Sequence, residues 1–255
     1  MSPTWKRALL WVLGVVVAVA LIAAAAFVWW GTHPLGPTDS ALSALQSGDG
    51  VTVRHAADGW EFAPEGVEAS AALVFYPGGH VDARSYATYA REVAKRGYLV
   101  VVPVMPLSLA VLAPNAAAKA LAAHPGVKRW AMGGHSLGGV MAAQFAAKNS
   151  GSVHGLVLLA SYPTAGTNLD ASKISVASLL GTQDTVVNRQ SWQSGMTLLP
   201  AATDFVTLEG GNHAQFGDYG LQPGDTANPR MPAAEQRGIA TDATVKVLRS
   251  AAVAR

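Results

Sequence analysis

The segment Gly133-Gly134-His135-Ser136-Leu137-Gly138-Gly139, "GGHSLGG", decides how the rest of the chain is read. Gly134 to Gly138 fit the pattern G-x-S-x-G, which is too short to carry a function alone. Its surroundings supply what it lacks. Residues 127–132, "VKRWAM", read as a strand, and "LGGVMAAQFAAKNSG" from Leu137 onward reads as a helix. A serine between the two occupies a turn so tight that its backbone is strained and the residues two places away must be small. Gly134, Gly138 and Gly139 meet that demand. The hydroxyl of Ser136 then stands at the carboxyl edge of a sheet, beside a helix N-terminus. The bland alternative is a glycine-rich turn without chemistry.

Outward from this turn, strand and helix patterns alternate. "VTVRH" and "WEF", split by Ala-Asp-Gly, predict a hairpin. "AALVFYP", "YLVVVPVMP", "VHGLVLLASYP", "ISVASLLG" and "TDFVTLEG" predict strands. "ARSYATYAREVAKRG", "NAAAKALAAHPG", "NRQSWQSGMTLL" and "AAEQRGIATDATVKVLRSAA" predict helices. Several of the strands are apolar throughout, as strands buried on both faces are, so the expected fold is α/β with a mostly parallel central sheet covered by helices on both faces.

A serine hydroxyl needs a base to become a nucleophile. In this architecture the chain order is serine, acid, histidine. His213 follows the last strand in the loop "GGNHAQFGDYG" and is the expected base. His33 lies near the N-terminus, His55 and His154 in strands, His124 at a helix end, and His135 turns into the fold. The acid should end the preceding strand, which selects Asp184 in "GTQD". Asp170 and Asp204 sit at the opposite end of the sheet, and Asp218 is the main rival. Asp184 would hold His213 in the tautomer that accepts the serine proton. An oxyanion hole completes the set. Its expected donors are the Leu137 N–H and one from "YPGGH", that of Gly79 or His80. His80, Tyr162 and Phe216 are expected on the walls of the site.

Taken in order, "YPGG", "GGHSLGG", "GTQD" and "GGNHAQFGDYG" resemble the α/β-hydrolase superfamily over residues 50–250, nearest its compact branch of dienelactone-hydrolase-like proteins and small carboxylesterases. The resemblance implies an α/β-hydrolase fold and acyl chemistry without cofactor or metal. The dienelactone hydrolases use cysteine as nucleophile, whereas this chain has serine there and no cysteine at all, so the resemblance implies the fold and not lactone opening. The expected activity is hydrolysis of a small-molecule carboxylic ester. Acyl transfer and thioester cleavage would use the same residues, and a non-catalytic binding module on the fold is the alternative from another class. Only ten residues, "TAGTNLDASK", follow "VHGLVLLASYP" before the next strand. That excludes a helical lid domain and gives an expectation of an open site preferring short acyl groups.

Composition bounds the partners. Among 255 residues, Lys6 and Arg7 are the only charges in the first thirty. The remaining 16 basic residues balance 16 acidic ones, with no charged run to suggest nucleic acid. Residues 8–30 carry no charge and are long enough to cross a bilayer as a helix. With Lys6 and Arg7 before them, the positive-inside rule leaves the rest of the chain outside the cytoplasm. Ala24-Ala25-Ala26 offers the alternative of a cleaved signal peptide. The expected organisation is an anchor over 1–30, a linker over 31–49 and a hydrolase domain over 50–255.

Overall fold

One eight-stranded sheet organises the chain in a computed structural model that describes residues 3–57 and 59–253. Its strands are β1 (Val51–Ala56), β2 (Gly59–Pro64), β3 (Ala72–Tyr76), β4 (Leu99–Val102), β5 (Trp130–His135), β6 (Val153–Leu159), β7 (Ser175–Gly181) and β8 (Asp204–Leu208). They lie in the order β1-β2-β4-β3-β5-β6-β7-β8. The β1–β2 hairpin and the β2–β4 pair are antiparallel, and every other pair is parallel. The uniformly apolar β3 and β4 are buried at every position, because helices cover both faces.

The helices are α1 (Pro3–Thr32), α2 (Asp39–Ser43), α3 (Ala87–Lys95), α4 (Ala117–Ala123), α5 (Leu137–Lys148), α6 (Arg189–Met196) and α7 (Ala233–Val253). Leu73, Phe75, Val100 and Val157 pack toward α3 and α7. Val74, Val101, Met132 and Leu158 pack toward α4 and α5. Alternate residues of one strand thus feed two cores, as the two-residue period requires. Each fully buried Leu or Phe contributes about 1.5–3 kcal/mol. No helix lies between β6 and β7.

Three expectations change at their edges. Strand β5 starts at Trp130 and not at Val127, because pairing with β3 and β6 begins there, and it runs through Gly133 and Gly134 to His135. The helix expected from Ala83 begins as a 3-10 turn, Ala83–Tyr86, with Asp82 accepting the Arg84 N–H. Residues 31–49 are docked on the domain and do not hang as a free linker. Leu35 bridges Val81, the Thr38 N–H donates to the Asp218 carbonyl, and Arg91 donates to the carbonyls of Gln46 and Gly48. A buried arginine and the segment's backbone carbonyls satisfy each other there, which composition alone does not disclose. Ahead of this segment, α1 contains the stretch Trp5–Thr32, long and apolar enough to cross a membrane, whose most apolar part is not buried against the domain.

Candidate active site

Three strand ends converge at the carboxyl edge of the sheet. Ser136 follows β5 with φ 52° and ψ −125°, a conformation that ordinary residues avoid. Its surroundings hold it there. The Ser136 N–H donates to the Leu159 carbonyl at 3.0 Å, and the Ser136 carbonyl accepts from Ser161 Oγ at 2.7 Å. The glycines permit the close approach. A Cβ on Gly134 would meet the Gly138 carbonyl carbon and the Gly139 nitrogen at 2.5 Å, and one on Gly139 would meet Ser161 at 2.5 Å. A Cβ on Gly138 would collide with the carbonyl oxygens of Tyr76 and Pro77. The G-x-S-x-G pattern is therefore a packing requirement between β5, β3 and the first turn of α5.

Asp184 and His213 are brought together from the loops after β7 and β8. Asp184 Oδ2 and His213 Nδ1 lie 2.8 Å apart, with both side chains buried. The other Asp184 oxygen accepts the N–H groups of Val186 and Val187, each at 2.9 Å. Burial pushes this carboxyl up. The hydrogen bond and charge of His213, with the Val187 and Val186 N–H groups, outweigh burial and hold it below the usual carboxylate range. Gly181 lets the two loops touch, since a Cβ there would strike the Gly211 backbone, and the Gln183 N–H donates to the Gly211 carbonyl at 2.8 Å. His213 Nε2, the atom that would face a nucleophile, is buried without a hydrogen-bond partner among the described residues. It borders the same cavity as Ser136, about 270 Å³ in volume, which Leu137, Tyr162 and Val187 also line.

The residues behind His213 were not singled out in the sequence. Gln236 of α7 accepts the Asn212 N–H at 3.0 Å and donates to the Asn212 carbonyl at 2.8 Å. Asp225 accepts the Ala214 N–H at 2.8 Å. These polar residues lie 11 and 24 places from their partners, so no local pattern could have flagged them. His135 lies beside His213, ring centroids 4.5 Å apart, and its Nδ1 is 2.8 Å from the Tyr86 hydroxyl. Burial, and then the charge of His213, push the His135 imidazole well below its ordinary value, so it stays neutral. Asp218, the rival acid, instead accepts from Thr38 Oγ1 and Thr88 Oγ1, each at 2.8 Å.

The candidate oxyanion donors separate cleanly. The Gly78 N–H donates to the Tyr86 hydroxyl at 2.9 Å, and the His80 N–H to the Ser108 carbonyl at 2.8 Å. The N–H groups of Gly79 and Leu137 have no acceptor among the described residues, and the two residues lie against each other. Of the three expected wall residues, only Tyr162 lines the cavity. His80 faces away, its ring stacked on Trp30 at 4.0 Å. Phe216 is fully buried beneath the site with its ring 5.8 Å from His135, because the loop after His213 turns inward. Among the described residues no three histidine, aspartate or glutamate side chains gather as metal ligands do.

Known proteins fit this arrangement. Residues 72–237, well over half of the chain, match the model of the alpha/beta hydrolase family. A comparison with curated sequences gives no match. Among solved structures, a predicted CIB-like hydrolase from Thermoplasma acidophilum is similar with a TM-score of 0.58 at 15% identity, covering 77% of this chain and 100% of its own. A dienelactone hydrolase from Anabaena variabilis gives 0.58 at 14%, covering 78% and 100%. TT1662 from Thermus thermophilus gives 0.57 at 14%, covering 80% and 99%. At such identities these structures speak for the fold, and with the family match over residues 72–237 they lead to one conclusion: the chain belongs to the alpha/beta hydrolase family.

Proposed function

We propose that this hydrolase is a membrane-anchored serine hydrolase that cleaves carboxylic esters outside the cytoplasm. The observation that carries the reading is the His213 Nδ1–Asp184 Oδ2 pair at 2.8 Å, bordering one cavity with a serine held at φ 52°. Nε2 of His213 takes the Ser136 proton as Oγ attacks the ester carbonyl. The tetrahedral oxyanion accepts the N–H groups of Leu137 and Gly79, each such donor worth about 3 kcal/mol. His213 then protonates the departing alcohol, leaving an acyl group on Ser136. Water, deprotonated by His213, attacks that acyl group, and collapse frees the acid and restores the Ser136 hydroxyl. Asp184 stays ionised throughout and steadies the imidazolium. Anchoring is supported by the apolar stretch Trp5–Thr32, and the outward side by Lys6 and Arg7 just before its apolar part.

The test is Ser136→Ala in the full chain. It should lower hydrolysis of p-nitrophenyl acetate by about 10³-fold or more and abolish labelling by a fluorophosphonate, because members of such a set act as a unit. Activity within threefold of the parent would refute the nucleophile.

A further inference from the structure

The loop between β4 and α4 stays apolar where it meets water. No charged residue occurs between Arg96 and Lys119, and Val104, Val111 and Leu112 are 59%, 43% and 50% exposed. Patches of this kind on a folded domain mark a surface that something covers. The loop is not slack. The Tyr76 hydroxyl donates to the Pro114 carbonyl at 3.0 Å and accepts the Ala117 N–H at 2.8 Å. Leu107 and Ser108 are held at φ 49° and 56°, a strain the surrounding contacts sustain.

Its neighbours are the end of α1 and the oxyanion loop. A Cβ on Gly31 would meet Leu107 Cβ at 2.6 Å, and Ser108 Oγ donates to the Gly31 carbonyl at 3.2 Å. His80 stacks on Trp30, and its Nε2 lies 2.8 Å from the Trp30 carbonyl. The Ser108 carbonyl takes the His80 N–H, and Leu109 reaches within 3.8 Å of where a Gly79 side chain would begin. The end of the apolar helix is therefore one residue from a candidate oxyanion donor, with the exposed apolar loop beside both. A helix of this length spans about 42 Å, against a hydrocarbon core of about 30 Å. Its final turn, carrying Trp29 and Trp30, comes out at the interface where such rings reside.

We propose that the loop carrying Val104, Val111 and Leu112 lies in the outer interface of the bilayer that α1 spans, and that the substrate is an amphiphilic carboxylic ester reaching Ser136 from that leaflet. The occupant is the bilayer itself, because the same loop packs at Leu107 and Ser108 on the end of a helix already built for lipid. This rests on the anchored-esterase reading. It replaces the expectation of short acyl groups, which assumed a site opening into water; methylenes that remain in lipid need no protein pocket.

The chain has no cysteine, so single cysteines carry a nitroxide label without background. Labels at 104, 111 and 112 are compared with one at Val67, 61% exposed before β3 at the opposite edge of the sheet. Full-length protein is reconstituted in phosphatidylcholine vesicles, and collisions with oxygen and with a water-soluble nickel complex are measured. The first three labels should favour oxygen and the fourth nickel. If all four favour nickel while the protein floats with the vesicles, the docking is wrong and the anchor stands. If nothing floats, the anchor reading falls as well. Protection of the loop that fades as protein is diluted in lipid would assign it to a second copy and overturn the proposal. V104S/V111S/L112S in one chain should lose about tenfold or more on a long-chain umbelliferyl ester carried in the vesicles, given the apolar area removed. It should match the parent on soluble p-nitrophenyl acetate. Equal loss on both esters, or on neither, refutes delivery from the leaflet. A parent that cleaves neither ester sinks the esterase reading, and the label depths still decide the docking.

Discussion

Replacing Gly134 by alanine is the sharpest test of how the fold builds the site. Gly134 has no positive φ, so the change adds a methyl group and nothing else. That methyl would sit 2.5 Å from the Gly138 carbonyl carbon and the Gly139 nitrogen, and 2.7 Å from the Gly138 oxygen. Carbon contacts settle near 3.5–4.0 Å, so the first turn of α5 must retreat by roughly 1 Å. It cannot yield by a rotamer change, because every atom struck is backbone. The retreat carries the Leu137 N–H away from Gly79 and tilts Ser136. Misplacement on this scale costs about 10²-fold in rate, and overpacking costs about 1–3 kcal/mol of stability. For a chain of this size that lowers Tm by about 3–10 °C. Gly238 is the control. It is exposed on α7, and a Cβ there meets nothing within 4 Å. Gly238→Ala should leave activity alone and add about 0.5–1 kcal/mol by restricting the unfolded chain, a Tm gain of about 1–4 °C. Ester hydrolysis and thermal unfolding of the full chain in detergent measure both. If Gly134→Ala keeps more than a third of the parent kcat/KM with an unchanged Tm, the close approach of α5 to β5 is not what sets the site.

Further outcomes test the neighbours of His213. Asp184→Asn should cut kcat by about 10⁴-fold through the wrong imidazole tautomer, whereas Asp218→Asn, which loosens Thr38 and Thr88, should lower Tm and spare kcat; the reverse result in paired assays would move the acid to Asp218. His135 is buried neutral with its folded pKa lowered, so below its ordinary value of about 6.5 the unfolded chain binds a proton that the folded chain refuses. Stability should therefore fall as pH drops beneath about 6.5, with a slope from this group of at most about 1.4 kcal/mol per pH unit. Denaturant titrations of the parent and His135→Asn across that range should converge toward low pH; parallel curves would show that His135 stays uncoupled.

How much of this was legible in the sequence depended on how local the cause was. The elbow was legible because three glycines and a serine must lie within six residues for β5, β3 and α5 to touch at all. Asp184 and His213 were legible because a parallel sheet puts every strand's carboxyl end on one edge, so the chain order named the loops. The start of β5 is the less legible end, because "VKR" continues a strand-like pattern whereas pairing with β3 on one side and β6 on the other begins only at Trp130. His80 and Phe216 were misjudged for a longer-range reason. A loop's position fixes which edge a residue occupies but not which way its ring turns, and Trp30 and His135 supply that direction.

The docking of residues 31–49 carries this argument furthest. Glycine, proline and serine predict a free chain when nothing is present to receive their backbone groups. Here Arg91, one turn into α3, points three of its contacts at carbonyls of Ala44, Gln46 and Gly48, and Asp218 holds Thr38 from the loop that also carries His213. A buried arginine whose paired acid, the exposed Asp49, stands 3.6 Å away needs such acceptors as well, and the segment's own carbonyls need such a donor. The consequence reaches the site. A free tether would let the domain turn at any angle to the helix before it, whereas a segment fixed at Leu35, Thr38 and Gly48 limits that angle. The contacts of Trp30 with His80 and of Gly31 with Leu107 then bring the carboxyl edge of the sheet to the end of α1. Orientation of the sheet's carboxyl edge thus follows from hydrogen bonds made by a stretch whose composition reads as linker.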